Sequence, residues 1–212
     1  MMSKTKLTII YSSTTGTNYQ LAKWAEEGAL ELGAEVRVRK VPHIRPPHDI
    51  DTDPSKIALA EATRDVAEIA LEDLDWADAI IFSTPARYGV MTAEVKDFLE
   101  KTGGLWAEGK LVNKVVSGMA SAQNTHGGQE AVLLSLYTAM YHWGAIIAAP
   151  GYTNPVLFSS GGNPYGITVT TTADGTIIED KEIIRNAVKH QAKRTLTIAG
   201  AIQQLKKIET VK

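Results

Sequence analysis

The 212-residue chain contains no cysteine. That excludes disulfides, thiolate metal ligands and thiol catalysis, and leaves any redox chemistry to a bound cofactor. Positive charge is not in excess: 22 Lys and Arg against 24 Asp and Glu give a formal net charge of −2. No Lys/Arg-rich run changes this locally, so nucleic-acid binding is disfavoured. No apolar run reaches the roughly 20 residues needed to cross a bilayer. The opening Met-Met-Ser-Lys-Thr-Lys leads directly into the first apolar run without a signal-peptide core, so a cytoplasmic protein with no membrane partner is expected. A Gly-x-Ser-x-Gly elbow is also missing, which speaks against that class of serine hydrolase. His43, His48, His126 and His190 are too scattered to suggest a metal site.

What is present is a chain 44% hydrophobic, enough for one substantial core, and residues 1–212 read as a single domain. Its organising stretch is Leu-Thr-Ile-Ile-Tyr-Ser-Ser-Thr-Thr-Gly-Thr-Asn-Tyr at 7–19. A short apolar run empties into hydroxyl-rich residues around one glycine, and a helix follows with Leu21, Trp24, Ala25, Gly28 and Leu32 on one face. A strand, a tight loop and a helix N-terminus gather unpaired backbone N–H groups, and Ser12, Ser13, Thr14, Thr15 and Thr17 add hydroxyls. The loop therefore suits an anion. No lysine lies between Lys6 and Lys23, so the Lys-bearing nucleotide loop is excluded, and the three-glycine dinucleotide fingerprint is absent. A terminal phosphate monoester held by neutral donors alone remains. Simple helix capping by the same hydroxyls is the competing reading.

Further along, Val36 and Val38 alternate with charges in a strand at 35–40 that suits a sheet edge. Residues 41–49 are proline-rich loop, and 55–71 read as an inserted helix or two. Apolar runs at 79–83 and 114–119 mark strands buried on both faces, and a further strand is expected at 145–149. Thr92 caps a helix with Val95, Phe98 and Leu99 inward, closed by Gly103-Gly104, and 129–141 form another. A long loop at 151–166 precedes a small hairpin, or an extension of the last strand, around Asp174-Gly175. A closing helix runs from Lys181 to about Lys206 with Ile184, Val188, Ala192, Ala199 and Ile202 on one stripe. Strand then helix, repeated, predicts an α/β doubly wound five-stranded parallel sheet of order 2-1-3-4-5 with an inserted helical segment after strand 2. In that order the loops at 12–18, 84–91 and 120–128 meet at the carboxyl rim of the sheet, where ligands bind.

These residues carry a resemblance. Tyr-Ser-Ser-Thr-Thr-Gly-Thr-Asn looks like a flavodoxin phosphate loop. Ser-Thr-Pro-Ala-Arg-Tyr-Gly-Val-Met at 83–91, Lys-Thr-Gly-Gly-Leu-Trp at 101–106, His126-Gly127-Gly128-Gln129-Glu130, Tyr141-His142-Trp143-Gly144 and Pro164-Tyr165-Gly166 are similar to the WrbA family of FMN-dependent NAD(P)H:quinone oxidoreductases. The resemblance covers most of the chain and implies a flavodoxin-like fold. It places Ser13, Thr14, Thr15, Gly16, Thr17 and Asn18 around the FMN phosphate, and Ala86, Arg87 and Tyr88 along the isoalloxazine ring. Ala122, Gln123, Asn124, Thr125, His126 and Gly127 would complete the ring's polar edge. His142 would lie at its pyrimidine end as proton or hydrogen-bond donor to a quinone, and Trp106 would form the apolar wall of the substrate site. The chain differs from the family pattern at Thr15, Val90 and Gln123-Asn124. What the resemblance implies is two-electron quinone reduction by NADH or NADPH in a ping-pong cycle, in a homotetramer whose subunits complete each other's pockets.

Each residue has a plainer reading. Arg87 would pair with a surface carboxylate, Tyr88 and Trp106 would be core or interface aromatics, and His142 would favour the negative end of a helix dipole. Two other functions fit the same fold: a flavodoxin-type electron carrier without turnover of its own, and a non-enzymatic binding module. A flat nicotinamide or quinone needs an aromatic ledge over the flavin face, and backbone amides must meet the charge that reduction adds. The enzyme reading meets both needs.

Overall fold

The computed structural model describes residues 4–44 and 52–210. Arg45, Pro46, Pro47, His48 and Asp49 of the expected loop lie outside them. Strands β1 (Lys6–Tyr11), β2 (Glu35–Lys40), β3 (Ala79–Pro85), β4 (Val115–Ala122) and β5 (Ile146–Ile147) pair in the order β2-β1-β3-β4-β5, all parallel. Ile9 stands between Val38 and Ile81, the register at the middle of the sheet. Because side chains alternate, two apolar layers result. Leu7, Ile9, Ile81 and Met119 face helices α1 (Thr17–Leu30) and α8 (Lys181–Thr210). Ile10, Ile80, Phe82 and Val116 face α3 (Leu71–Trp76), α4 (Ala93–Lys101) and α6 (Gln129–His142).

The edge strand β2 keeps a solvated face, as its charge alternation requires, and Arg37 and Arg39 each lie 2.9 Å from Asp73 of α3. Burial works against ionisation of Asp73, but the two guanidinium groups and the Ala70 N–H outweigh it and hold the carboxyl below its ordinary range. Helix α1, which starts the phosphate loop's far side, is fastened to α8 by Glu27 with Arg185 at 2.5 Å and by Glu31 with Lys189 and Lys193.

Several boundaries differ from expectation. The inserted segment is one helix, α2 (Pro54–Ala62), and then extended chain that bridges Lys40 to Glu68 before α3 begins. Helix α4 ends at Lys101, just before Gly103-Gly104 as expected, but the two glycines also open a short helix, α5 (Gly103–Ala107). Leu32 is 52% exposed because α1 has already ended at Leu30. Strands β3 and β4 run on to Pro85 and Ala122, so the expected polar loop after β4 begins three residues late.

The largest difference concerns the fifth strand. Only Ile146 and Ile147 pair beside the lower half of β4, and the upper half, Met119 to Ala122, is paired by a sixth strand, β6 (Ile167–Thr170), also parallel. Residues 148–166 leave the sheet between them and carry α7 (Val156–Ser159). Pro150 has no N–H to continue the ladder. The break falls at Gly118, and two side chains replace the missing rungs. Tyr137 Oη accepts the Gly118 N–H at 3.0 Å and donates to the Tyr165 carbonyl at 2.6 Å. Burial pushes that phenol far above its usual range, so it stays protonated and able to donate. Gln191 Nε2 donates to the Gly118 carbonyl at 2.9 Å while its Oε1 accepts from Ile167 N at 2.8 Å. The segment expected as a hairpin or a strand extension is therefore both: β6 joins the sheet, and an antiparallel bridge between Thr171 and Ile177 closes the hairpin beyond it.

Candidate active site

The loop leaving β1 turns at Gly16, whose φ of 99° sets the start of α1. Gly16 N donates to Ser13 Oγ at 3.1 Å, and no side chain caps α1. The capping reading of these hydroxyls therefore fails for α1. The N–H groups of the first turn, from Thr17 on, have no carbonyl one turn earlier to pair with and sit at the positive end of the helix dipole.

Two residues expected at the phosphate also bond into the frame behind it. Asn18 is 2% exposed; its Nδ2 donates to Ser121 Oγ at 2.8 Å, and the Ser83 hydroxyl donates toward its backbone carbonyl and its Oδ1, each at 3.1 Å. Asn18 thus ties the start of α1 to the ends of β3 and β4. The Thr17 hydroxyl donates to the Gly175 carbonyl at 2.7 Å, from the hairpin after β6. Ser13 and Thr14 enter their hydrogen bonds as acceptors, so both hydroxyl protons remain for a ligand.

The three expected loops converge on one cavity of about 560 Å³, within the usual size of a cofactor site. Ser13, Thr14, Thr15, Thr17 and Asn18 form one wall; Pro85, Ala86, Arg87 and Tyr88 a second; Ser121, Ala122, Gln123, Asn124 and Gly127 a third. Thr171, Thr172 and Ala173 add a fourth, and Asp53 and Lys56 from the start of α2 stand at the rim.

The cavity is not held by neutral donors alone, which corrects the sequence reading. Arg87 Nη2 donates to Thr14 Oγ1 at 2.8 Å, placing a guanidinium against the phosphate loop, and Lys56 lines the same space. Arg87 has no carboxylate partner among the described ion pairs, so the surface-pair reading fails. Asp53 accepts from the Ser55 hydroxyl at 2.6 Å and its N–H at 2.9 Å, bonds that keep its carboxyl below the ordinary range.

Arg87 N and Val90 O, and Val90 N and Arg87 O, bond at 2.8 and 3.1 Å around a turn whose central residues, Tyr88 and Gly89, both have positive φ (53° and 80°). That turn type throws the Tyr88 ring fully into solvent at the cavity's edge. A non-glycine residue held there stores backbone strain, which is a mark of functional positions. Below it, Gly128 (φ 85°) meets Gly89 backbone to backbone: a Cβ on Gly128 would lie 2.7 Å from Gly89 Cα.

Five expected residues do not line this cavity. Thr125 and His126 project into solvent from the turn before α6. Gly16 faces a neighbouring cavity of about 420 Å³ behind the phosphate loop. Trp106 and His142 do lie together, with Trp106 Nε1 donating to the His142 carbonyl at 2.8 Å. They sit at the far end of α6, which at 14 residues puts them about 21 Å from the rim. Conversely, Lys56 and the hairpin residues Thr171 to Ala173 were not singled out from sequence. Thr170-Thr171-Thr172-Ala173-Asp174-Gly175 carries the same signature as the first loop, a strand emptying into hydroxyls and a glycine. Lys56 carries no signal of its own. Among the described residues no three His, Asp or Glu side chains are grouped to hold a metal ion, and no helix is long and apolar enough to cross a membrane.

The cavity fits a flavin mononucleotide: an anion site of amides, hydroxyls and a guanidinium at one end, and a slot between backbone-lined loops at the other. The family model described as NADPH-dependent FMN reductase matches residues 5–154. The chain is 44% identical over 200 residues to a Deinococcus radiodurans protein named NAD(P)H dehydrogenase (quinone), covering 94% of this chain and all of that one. A Brucella anthropi protein of the same name is 38% identical over 203 residues, covering 93% and 98%. Among solved structures, a flavodoxin, WrbA-like protein from Agrobacterium tumefaciens aligns with a TM-score of 0.56 at 17% identity over 93% of this chain and 98% of its own. An archaeal flavodoxin gives 0.56 at 14% identity over 91% and 98%. The fold is flavodoxin-like, and the chain belongs to the NADPH-dependent FMN reductase family.

Proposed function

We propose that the chain is a WrbA-type FMN-dependent NAD(P)H:quinone oxidoreductase that carries a hydride equivalent from NADH or NADPH to a quinone in a ping-pong cycle. The observation that carries this is the convergence of the phosphate loop, the Pro85–Tyr88 turn and the Ser121–Gly127 loop on one cavity at the carboxyl rim. The names of the Deinococcus and Brucella relatives point the same way. Bound FMN supplies the two-electron chemistry.

The chain's own residues do the rest. Ser13, Thr14 and Thr15, with the first-turn amides of α1, hold the phosphate, and Arg87 neutralises it. Ala86, Arg87, Ala122, Gln123, Asn124 and Gly127 border the ring. Tyr88 offers a flat face at the mouth, suited to stacking a nicotinamide or a quinone and to excluding water.

The same reading includes a homotetramer. The position of Trp106, 57% exposed and distant from its own cavity, supports a role at a neighbouring subunit's pocket, with His142 beside it. A cytoplasmic location fits, since the reductant is at hand there. Steady-state oxidation of NADH and NADPH by the FMN-loaded protein with benzoquinone tests the proposal. Turnover with parallel double-reciprocal lines is expected. Bound FMN without turnover would leave the electron-carrier reading, and a protein that takes up no FMN would leave the binding-module reading.

A further inference from the structure

We propose that the hairpin at 171–177 is a latch that fixes the phosphate loop in its anion-binding shape, and that Thr17 is the positioning residue through which it acts. The inference rests on FMN occupying the cavity as proposed above.

The hairpin is anchored from behind. Thr171 N donates to Ala122 O at 2.8 Å, joining it to the end of β4, and Ile178 N donates to Thr170 O at 3.0 Å. Its own turn is stiff: Thr172 N bonds Thr176 O at 2.9 Å, Gly175 N bonds Thr172 O at 3.0 Å, and Asp174 accepts from the Thr172 hydroxyl and from Thr176 N. The Thr172 hydroxyl bond, first, and the Thr176 N–H hold the Asp174 carboxyl below its usual range.

From that anchored base the tip bears on the phosphate loop. Gly175 has φ 89°, and a Cβ there would lie 2.7 Å from Thr15 Cβ and 2.8 Å from the Thr15 carbonyl oxygen, so the tip packs directly on Thr15. At the same place the Gly175 carbonyl accepts the Thr17 hydroxyl at 2.7 Å, and Thr17 is 5% exposed. Thr17 is the first residue of α1, and its hydroxyl proton is committed to this bond. Its N–H belongs to the set aimed at the anion. Fixing the hydroxyl on Gly175 therefore fixes the aim of the amides, and donors already in place need no reorganisation when the phosphate arrives. Thr171 to Ala173, on the same hairpin, line the cavity directly, so one element both shapes the loop and walls the site.

The test compares Thr17→Val, which keeps the shape and removes the donor, with Thr17→Ser, which restores it. Affinities for FMN and for riboflavin are read by flavin fluorescence quenching, alongside the melting temperature of the apoprotein. Thr17→Val is expected to bind FMN about tenfold more weakly, the size of one neutral buried hydrogen bond. Thr17→Ser should recover parental affinity. Riboflavin, which has no phosphate, should bind the parent and Thr17→Val alike. Parental FMN affinity in Thr17→Val would overturn the latch while leaving the FMN site intact, and so would equal losses in both substitutions or for both flavins. If the parent itself binds no FMN, the latch and the functional reading both fall.

Discussion

Replacing Gln191 by leucine is expected to lower stability by about 3 kcal/mol, because two buried backbone groups lose their partners at once. Gln191 is fully buried, and it alone carries the ladder across the break between β5 and β6 on the carbonyl side of Gly118. Leucine fills similar space without the amide. The Gly118 carbonyl and the Ile167 N–H would then sit unpaired in the sheet, where water cannot reach them. For a chain of this size the loss corresponds to a fall of about 6–12 °C in melting temperature. Tyr137→Phe removes the partner of the Gly118 N–H and the donor to Tyr165, and about 2 kcal/mol is expected. Both act on one peptide unit, so the double substitution should depart from additivity. Urea unfolding of the four proteins measures this. A Gln191→Leu protein within 1 kcal/mol of the parent would show that β5 and β6 do not depend on these side chains.

Gly128→Ala is expected to weaken FMN binding about a hundredfold while leaving the chain folded, the sum of a positive-φ penalty and a displaced turn. The added methyl would stand 2.7 Å from Gly89 Cα at φ 85°. The atoms it would meet are Gly89 backbone, not a side chain that can swing aside. The turn bearing Arg87 and Tyr88 must move away from the start of α6, opening the cavity between its second and third walls and drawing the guanidinium off Thr14. FMN titration together with far-ultraviolet circular dichroism separates this outcome from unfolding. Parental affinity in Gly128→Ala would show that contact between the two loops is not needed to hold the flavin.

The strands that organise the sheet were legible because burial on both faces leaves an unbroken apolar run, as at 79–83, and burial on one leaves alternation, as at 35–40. Their order followed from the strand-helix alternation, and with it the convergence of three loops. The divided fifth strand was legible only as one of two options, an extension of the last strand or a hairpin: Ile146-Ile147 and Ile167-Thr-Val169 each read as a short apolar piece. Nothing local says that both occupy one position beside β4, since Gln191 and Tyr137, which make this possible, come from distant helices. For the same reason the cavity's fourth wall was missed although its residues repeat the pattern of the first loop. Arg87 was recognised, but its bond to Thr14 spans 73 residues, and only the folded sheet brings a cation to a loop that has none of its own. His142 and Trp106 came from the resemblance, and a single chain holds them together but far from its own cavity.

The central claim is that this rim grips a mononucleotide by its phosphate. Parallel titrations of the apoprotein with FMN and riboflavin test it most directly. FMN is expected to bind at least about a hundredfold more tightly, as phosphate contacts to amides and a guanidinium warrant, and the difference should shrink as salt is raised. Equal affinity for the two flavins would contradict it, because the loop after β1 would then contribute nothing that the phosphate feels.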